Sequence, residues 1–159
     1  AAGTNCLSQK ISFPFSLISN YDGGAGANTL RPGWVLWSNP YFIERSIAKF
    51  TKRRKSIEYR TDFPIFRPSI VDIVWDARHR LLAFKQSAGH SANQGSVLLS
   101  EQVLSGAGRC LVPISDVDRA IDAYTQFIHR YALHGLLFMI ATADSGKQNP
   151  QVDESGLVG

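Results

Sequence analysis

One stretch constrains the architecture more than any other. Val117, Ile121, Tyr124, Ile128 and Tyr131 recur at i, i+4, i+7, i+11 and i+14, the period of an α-helix with one apolar face. Ser115 and Asp118 stand ahead of it in the spacing of a capping box. Gly135 is expected to end it, and the continuous apolar run Leu136 to Ala141 then has the length of a central strand covered on both faces. A helix with a single apolar stripe needs a core to face, so the rest of the chain must supply one.

The chain is long enough to do so. Its 159 residues, 44% hydrophobic and 19% charged, have the balance of one globular domain. Apolar runs such as Leu136 to Ala141 fall far short of the roughly 20 residues that span a bilayer. The first residues lack the basic start and apolar stretch of a secretory signal. Cys6 and Cys110 allow one disulfide at most, so an intracellular setting, cytoplasmic or nuclear, is expected. Residues 1–33 read as an arm with a glycine-rich linker (Gly23, Gly24, Gly26), 34–143 as the folded domain and 144–159 as a tail.

Within the domain, Asn39 and Pro40 are placed to start a helix whose apolar stripe is Ile43, Ile47 and Phe50. Three strands are expected next, over Ser56 to Arg60, Ile70 to Trp75 and Arg80 to Gln86, with Asp76 to His79 as the turn joining the last two. A helix over Ser96 to Leu104, ended by Gly106 and Gly108, and a strand over Cys110 to Ile114 complete the set. The order αβββα-βαβ predicts an α/β fold with a mixed central sheet flanked by helices.

The formal net charge is +4, and it is localised. Between Tyr41 and Arg60, seven cations (Arg45, Lys49, Lys52, Arg53, Arg54, Lys55, Arg60) stand against Glu44 and Glu58, a net of +5 that leaves −1 for the rest. A concentrated basic patch attracts phosphate polyanions by counterion release, whereas a merely solvated helix end has the same composition. DNA or RNA is the partner this patch suggests.

The predicted hairpin bears the chemistry. In strands, Asp72 projects opposite Val71 and Ile73, and Ala83 shares a face with Lys85. An aspartate and a lysine on adjacent strands suit a divalent ion and an oriented water, although an ordinary hairpin with one wet face has the same pattern. This arrangement, with Glu44 on the leading helix, Asp72, and Ala83-Phe84-Lys85, resembles the PD-(D/E)XK nuclease superfamily, of restriction-endonuclease-like fold. The resemblance implies Mg²⁺ or Mn²⁺ held by Asp72, by an acid at position 83 and by the Phe84 carbonyl, Lys85 orienting the attacking water, and Glu44 assisting. It also implies metal-dependent hydrolysis of a phosphodiester. Lys49, Lys52, Arg53, Arg54, Lys55 and Arg60 would hold the backbone.

Ala83 departs from that pattern, because a methyl group is no ligand for a hard cation. As written the site is expected to be weak or inactive, and three explanations stay open: a catalytic acid removed to trap an inactive form, a natural pseudonuclease, or an acid supplied from elsewhere such as Glu58 or Asp76. Gln126 with Tyr131 approximates a further signature of some of these nucleases at one residue too many, and Gln86 follows the lysine. His79, His90, His129 and His134 show no metal-ligand spacing, and the glycines make no phosphate-cradling loop. Trp34, Trp37 and Trp75 serve either as core or as stacking platforms. Two rival functions use the same basic patch: a nucleic-acid-binding module that never cuts, and a domain that docks an acidic protein surface. A second copy of the chain is a further partner compatible with the sequence.

Overall fold

The computed structural model describes residues 10–20, 28–55, 65–88 and 98–145. The elements run β1 (Leu17–Asn20), β2 (Asn28–Arg31), α1 (Trp34–Ser38), α2 (Tyr41–Arg53), α3 (Pro68–Ala88), β3 (Leu98–Leu99), β4 (Cys110–Pro113) and α4 (Val117–Ser145), with a 3₁₀ turn over Ile114–Asp116 leading into α4. The fold is mixed α/β. Its sheet has the order β1-β2-β4-β3: β1 is antiparallel to β2, β2 parallel to β4, and β3 antiparallel to β4.

The stretch expected as an arm supplies two of these four strands. β2 pairs with β4 through Asn28 opposite Cys110 and Thr29 opposite Leu111, and both strands alternate buried and half-buried residues. One face of the sheet, carrying Leu30, Cys110 and Val112, therefore joins the core. Val74, Ala77 and Leu81 of α3 and Val117, Ala120, Tyr124 and Phe127 of α4 belong to the same cluster. The N-terminal segment is fastened further by Phe13, which is buried, and by the Tyr124 hydroxyl, which donates to the Pro14 carbonyl at 2.8 Å.

The predicted hairpin is instead one helix of 21 residues, α3. Its apolar positions Ile70, Val74, Ala77, Leu81 and Phe84 follow the helical period and face the core, a stripe that the β-branched cluster Ile70, Val71, Ile73 and Val74 obscures in the sequence. The supposed turn, Asp76-Ala77-Arg78-His79, contains no glycine, proline or asparagine, and continuing the helix buries Ala77 completely. Pro68 occupies the first helical position, where its missing N–H costs nothing. The strand expected over Ser56 to Arg60 lies outside the described residues.

Two further expectations change. The helix predicted over Ser96 to Leu104 is, where described, the short strand β3 followed by turns. Glu101 accepts hydrogen bonds there from the amides of Gly106 and Gly108, both at positive φ. α4 also does not stop at Gly135. A mid-helix glycine costs about 1 kcal/mol, and the leucines, methionine and alanines after it are good helix formers. Leu136 to Ala141 is consequently helical and exposed rather than a buried strand. The helix expected from Pro40 and the strand expected from Cys110 are present as α2 and β4.

Candidate nucleic-acid interface

α2 differs from the other long helices in burying no residue. Ile43 and Ile47 are half-buried and turn toward the body across two cavities. The larger, about 660 Å³, lies between α1, α2 and α4, and the smaller, about 270 Å³, lies between α2 and the segment around Phe15, Ile65 and Ile70. Ile43 lines both.

At 100° per residue, Arg45, Lys49 and Lys52 fall on one stripe of α2, more than a quarter-turn away from Ile43, Ile47 and Phe50, and Arg53 flanks it. All four are exposed, as are Arg54 and Lys55 just beyond the helix. Arg45, Lys49, Lys52 and Arg53 make no ion pair among the described residues. Cations in the last turn also oppose the partial negative charge of the helix C-terminus, which favours the helix and concentrates positive charge at that end. Arg60 lies outside the described residues.

The residues assigned to the metal do not converge. Asp72, Ala83, Phe84, Lys85 and Gln86 all lie on α3. Asp72 and Ala83 face outward but stand about 16 Å apart along the axis, and Lys85 is about 20 Å from Asp72 and turned some 140° away. Lys85 reaches the neighbouring helix instead. Its Nζ donates to Asp118 Oδ1 at 2.7 Å, and that partner raises the lysine pKa. Phe84 lies inside a helix, where its carbonyl is directed along the axis to the amide four residues on. Of the substitute acids, Asp76 is on α3 and exposed, and Glu58 lies outside the described residues. Among the described residues no three His, Cys, Asp or Glu side chains form a group fit to hold a metal. These residues do not fit Mg²⁺ or Mn²⁺.

Glu44 and Gln126 do meet, as opposite walls of the larger cavity, Glu44 from the first turn of α2 and Gln126 from α4. Arg119, Asp122, Arg130 and His134 complete its polar lining. Arg119, Asp122 and Arg130 do not stand out in the sequence and His134 shows no metal-ligand spacing there, although the spacing of all four along one side of α4 is the signal that identifies them.

Trp37 also lines the cavity. Two guanidinium groups stand over its ring, Arg31 at 5.3 Å and Arg119 at 5.4 Å, and its indole N–H donates to the Pro32 carbonyl at 3.2 Å. The ring is thus engaged by two of the protein's own cations, which favours a structural role for Trp37 over that of a free platform for a base. Trp75 is 46% exposed on α3, edge-on to His79. Cys110 is buried, which pushes its thiol pKa up and leaves it unreactive.

No helix among the described residues is long and apolar enough to cross a membrane. Comparison of the chain with family models, with curated proteins and with solved structures gives no match.

Proposed function

We propose that this protein is a nucleic-acid-binding module that holds the phosphate backbone with the outer face of α2 and does not cut it. One observation carries the reading: an exposed helix with no fully buried residue presents Arg45, Lys49, Lys52 and Arg53 together, without acidic partners among the described residues. A solvated helix face normally intersperses both signs along its length. Here the single acid of α2, Glu44, is on the cavity side. Backbone contacts of this kind give affinity without base selection, so single-stranded and duplex DNA and RNA are all candidate ligands.

The site residues implied by the nuclease resemblance lend no support to hydrolysis, because Asp72, position 83 and Lys85 are spread along one helix. The non-cutting alternative needs none of them.

The deciding experiment is fluorescence anisotropy with labelled DNA and RNA over a salt series, comparing the native chain with Lys49→Glu/Lys52→Glu/Arg53→Glu. The logarithm of the native chain's affinity is expected to fall linearly with the logarithm of the salt concentration. The triple variant should bind at least tenfold more weakly, with a slope reduced by about 3. Binding that ignores both salt and charge reversal would overturn the proposal.

A further inference from the structure

Near the end of α4, Leu136 to Ile140 is apolar on every side of the helix, and none of the described residues covers it. The hydrogen bonds from Arg78 to Thr125 and from Lys85 to Asp118 fix α3 and α4 as antiparallel and set their register. That register brings Pro68, the first residue of α3, level with Gly135. From Leu136 onward, α4 therefore runs past the end of its neighbour for about ten residues, or about 15 Å. Leu136, Leu137, Phe138, Met139 and Ile140 are 56–70% exposed on this overhang. Consecutive residues are 100° apart, so five in a row cover the whole circumference. Such a helix has no wet side to present, and a helix apolar all round is normally enclosed. No Asp, Glu, Lys or Arg occurs between Tyr131 and Asp144.

We propose that two copies of this chain pair through the overhang, antiparallel about a two-fold axis, with the tip of each entering the large cavity at the base of the other. The area argues for a second copy. From Leu133 to Ile140 the exposed apolar surface is on the order of 700 Å², beyond the largest patch of a typical monomer and close to the ~800 Å² that each partner brings to a stable interface. The geometry argues for reciprocity. In an antiparallel pair the tip of one overhang lies at the base of the other, and at that base Leu133 and Leu137 border the 660 Å³ cavity beside Phe66 and Phe127. A flat partner would cover one side of the helix, whereas this arrangement covers the flank with the mate's helix and the tip with the mate's cavity. The stretch from Leu136 to Ala143 carries no Asp, Glu, Lys or Arg, so it brings no like charges together across the axis.

Sedimentation equilibrium of the full chain from about 1 to 100 µM tests the pairing, since dimerisation is read as concentration-dependent mass. The native chain is expected to reach twice its monomer mass. Phe138→Asp/Met139→Asp should remain monomeric with unchanged far-UV circular dichroism, because both positions are exposed in the monomer. Ile43→Lys, on the far wall of the cavity, should raise the dimer dissociation constant at least tenfold. A native chain that stays monomeric throughout, or a double aspartate variant that still dimerises, would refute the pairing. An unchanged dissociation constant for Ile43→Lys would refute the insertion of the tip.

Discussion

Arg31 grips both carboxylate oxygens of Asp116, with Nε 2.7 Å from Oδ2 and Nη2 3.2 Å from Oδ1. Asp116 is fully buried, whereas Arg31 keeps about a third of its side chain in water. The pair joins the end of β2 to the turn that launches α4, and the aspartate raises the arginine pKa. Planar two-point pairing holds the guanidinium in the orientation that also lays it over Trp37. The pair thus fixes one wall of the large cavity as well as the junction of sheet and helix.

Removing one partner strands the other. Arg31→Met leaves the Asp116 carboxylate buried without its cation, and the expected loss is about 3 kcal/mol in urea unfolding. Arg31→Met/Asp116→Leu should recover a large part of it, because the unpaired charge is gone. A double variant no more stable than Arg31→Met would contradict this account.

Tyr124 gives a pH-dependent prediction. Burial is the main cause raising its hydroxyl pKa above 10.0, with hydrogen bonding to Ser16 and Gly33 opposing it. The folded state therefore keeps a proton that the unfolded chain releases at about pH 10. This stability is fully present below that pH and is lost as the pH climbs above it toward the folded-state value. Tyr124→Phe should cost about 1 kcal/mol at pH 7 through the hydrogen bond to Pro14, yet its Tm should fall less than that of the native chain between roughly pH 9 and 11. Parallel Tm curves for the two proteins would exclude the linkage.

Two glycines should respond with opposite sign to alanine. A Cβ on Gly106 would lie 2.8 Å from Ser12 Cβ, at a backbone φ of +100°. Gly106→Ala is expected to destabilise by on the order of 2 kcal/mol. A Cβ on Gly135 meets nothing within 4 Å inside a helix, so Gly135→Ala should stabilise by up to about 1 kcal/mol. Thermal unfolding of both variants checks the contrast.

Restoring the acid that the nuclease resemblance calls for should restore nothing. In Ala83→Glu the new carboxylate would stand on the outer face of α3, about 16 Å along the helix from Asp72 and too far to share an ion with it. Neither this variant nor the native chain is expected to cleave labelled DNA or RNA with Mg²⁺ or Mn²⁺. Lys85→Met should leave nucleic-acid affinity unchanged, because Lys85 lies on α3, is paired with Asp118 and is no part of the basic face of α2. Cleavage by Ala83→Glu would revive the hydrolytic reading.

The sequence carries some of these elements plainly and hides others. α2 is legible because Pro40, the Ile43 and Ile47 spacing and the following basic run all agree. β4 is legible as a short apolar run between turn residues. α3 is hidden because its outer face carries Ile73 and Trp75, so local β preference competes with a helical stripe that only the partner helix rewards. The sheet role of Asn28 to Arg31 is hidden for a different reason: its parallel partner β4 is remote in the chain, and no local pattern announces such a pairing. The basic face is legible as charge, whereas the cavity beside it exists only once α1, α2 and α4 are assembled.

The parallel union of β2 with β4 sets an order of events during synthesis. The contacts that lock the N-terminal strands span 85 residues from Arg31 to Asp116 and 110 from Pro14 to Tyr124. On a growing chain, β1 and β2 emerge long before β4 and α4 exist to receive them, and until then they are a two-stranded ribbon with an open edge and an uncovered face. Closure of the sheet must wait for the final third of the sequence, which makes this long-range joining the expected slow step of folding. Early termination would leave that edge exposed to other chains.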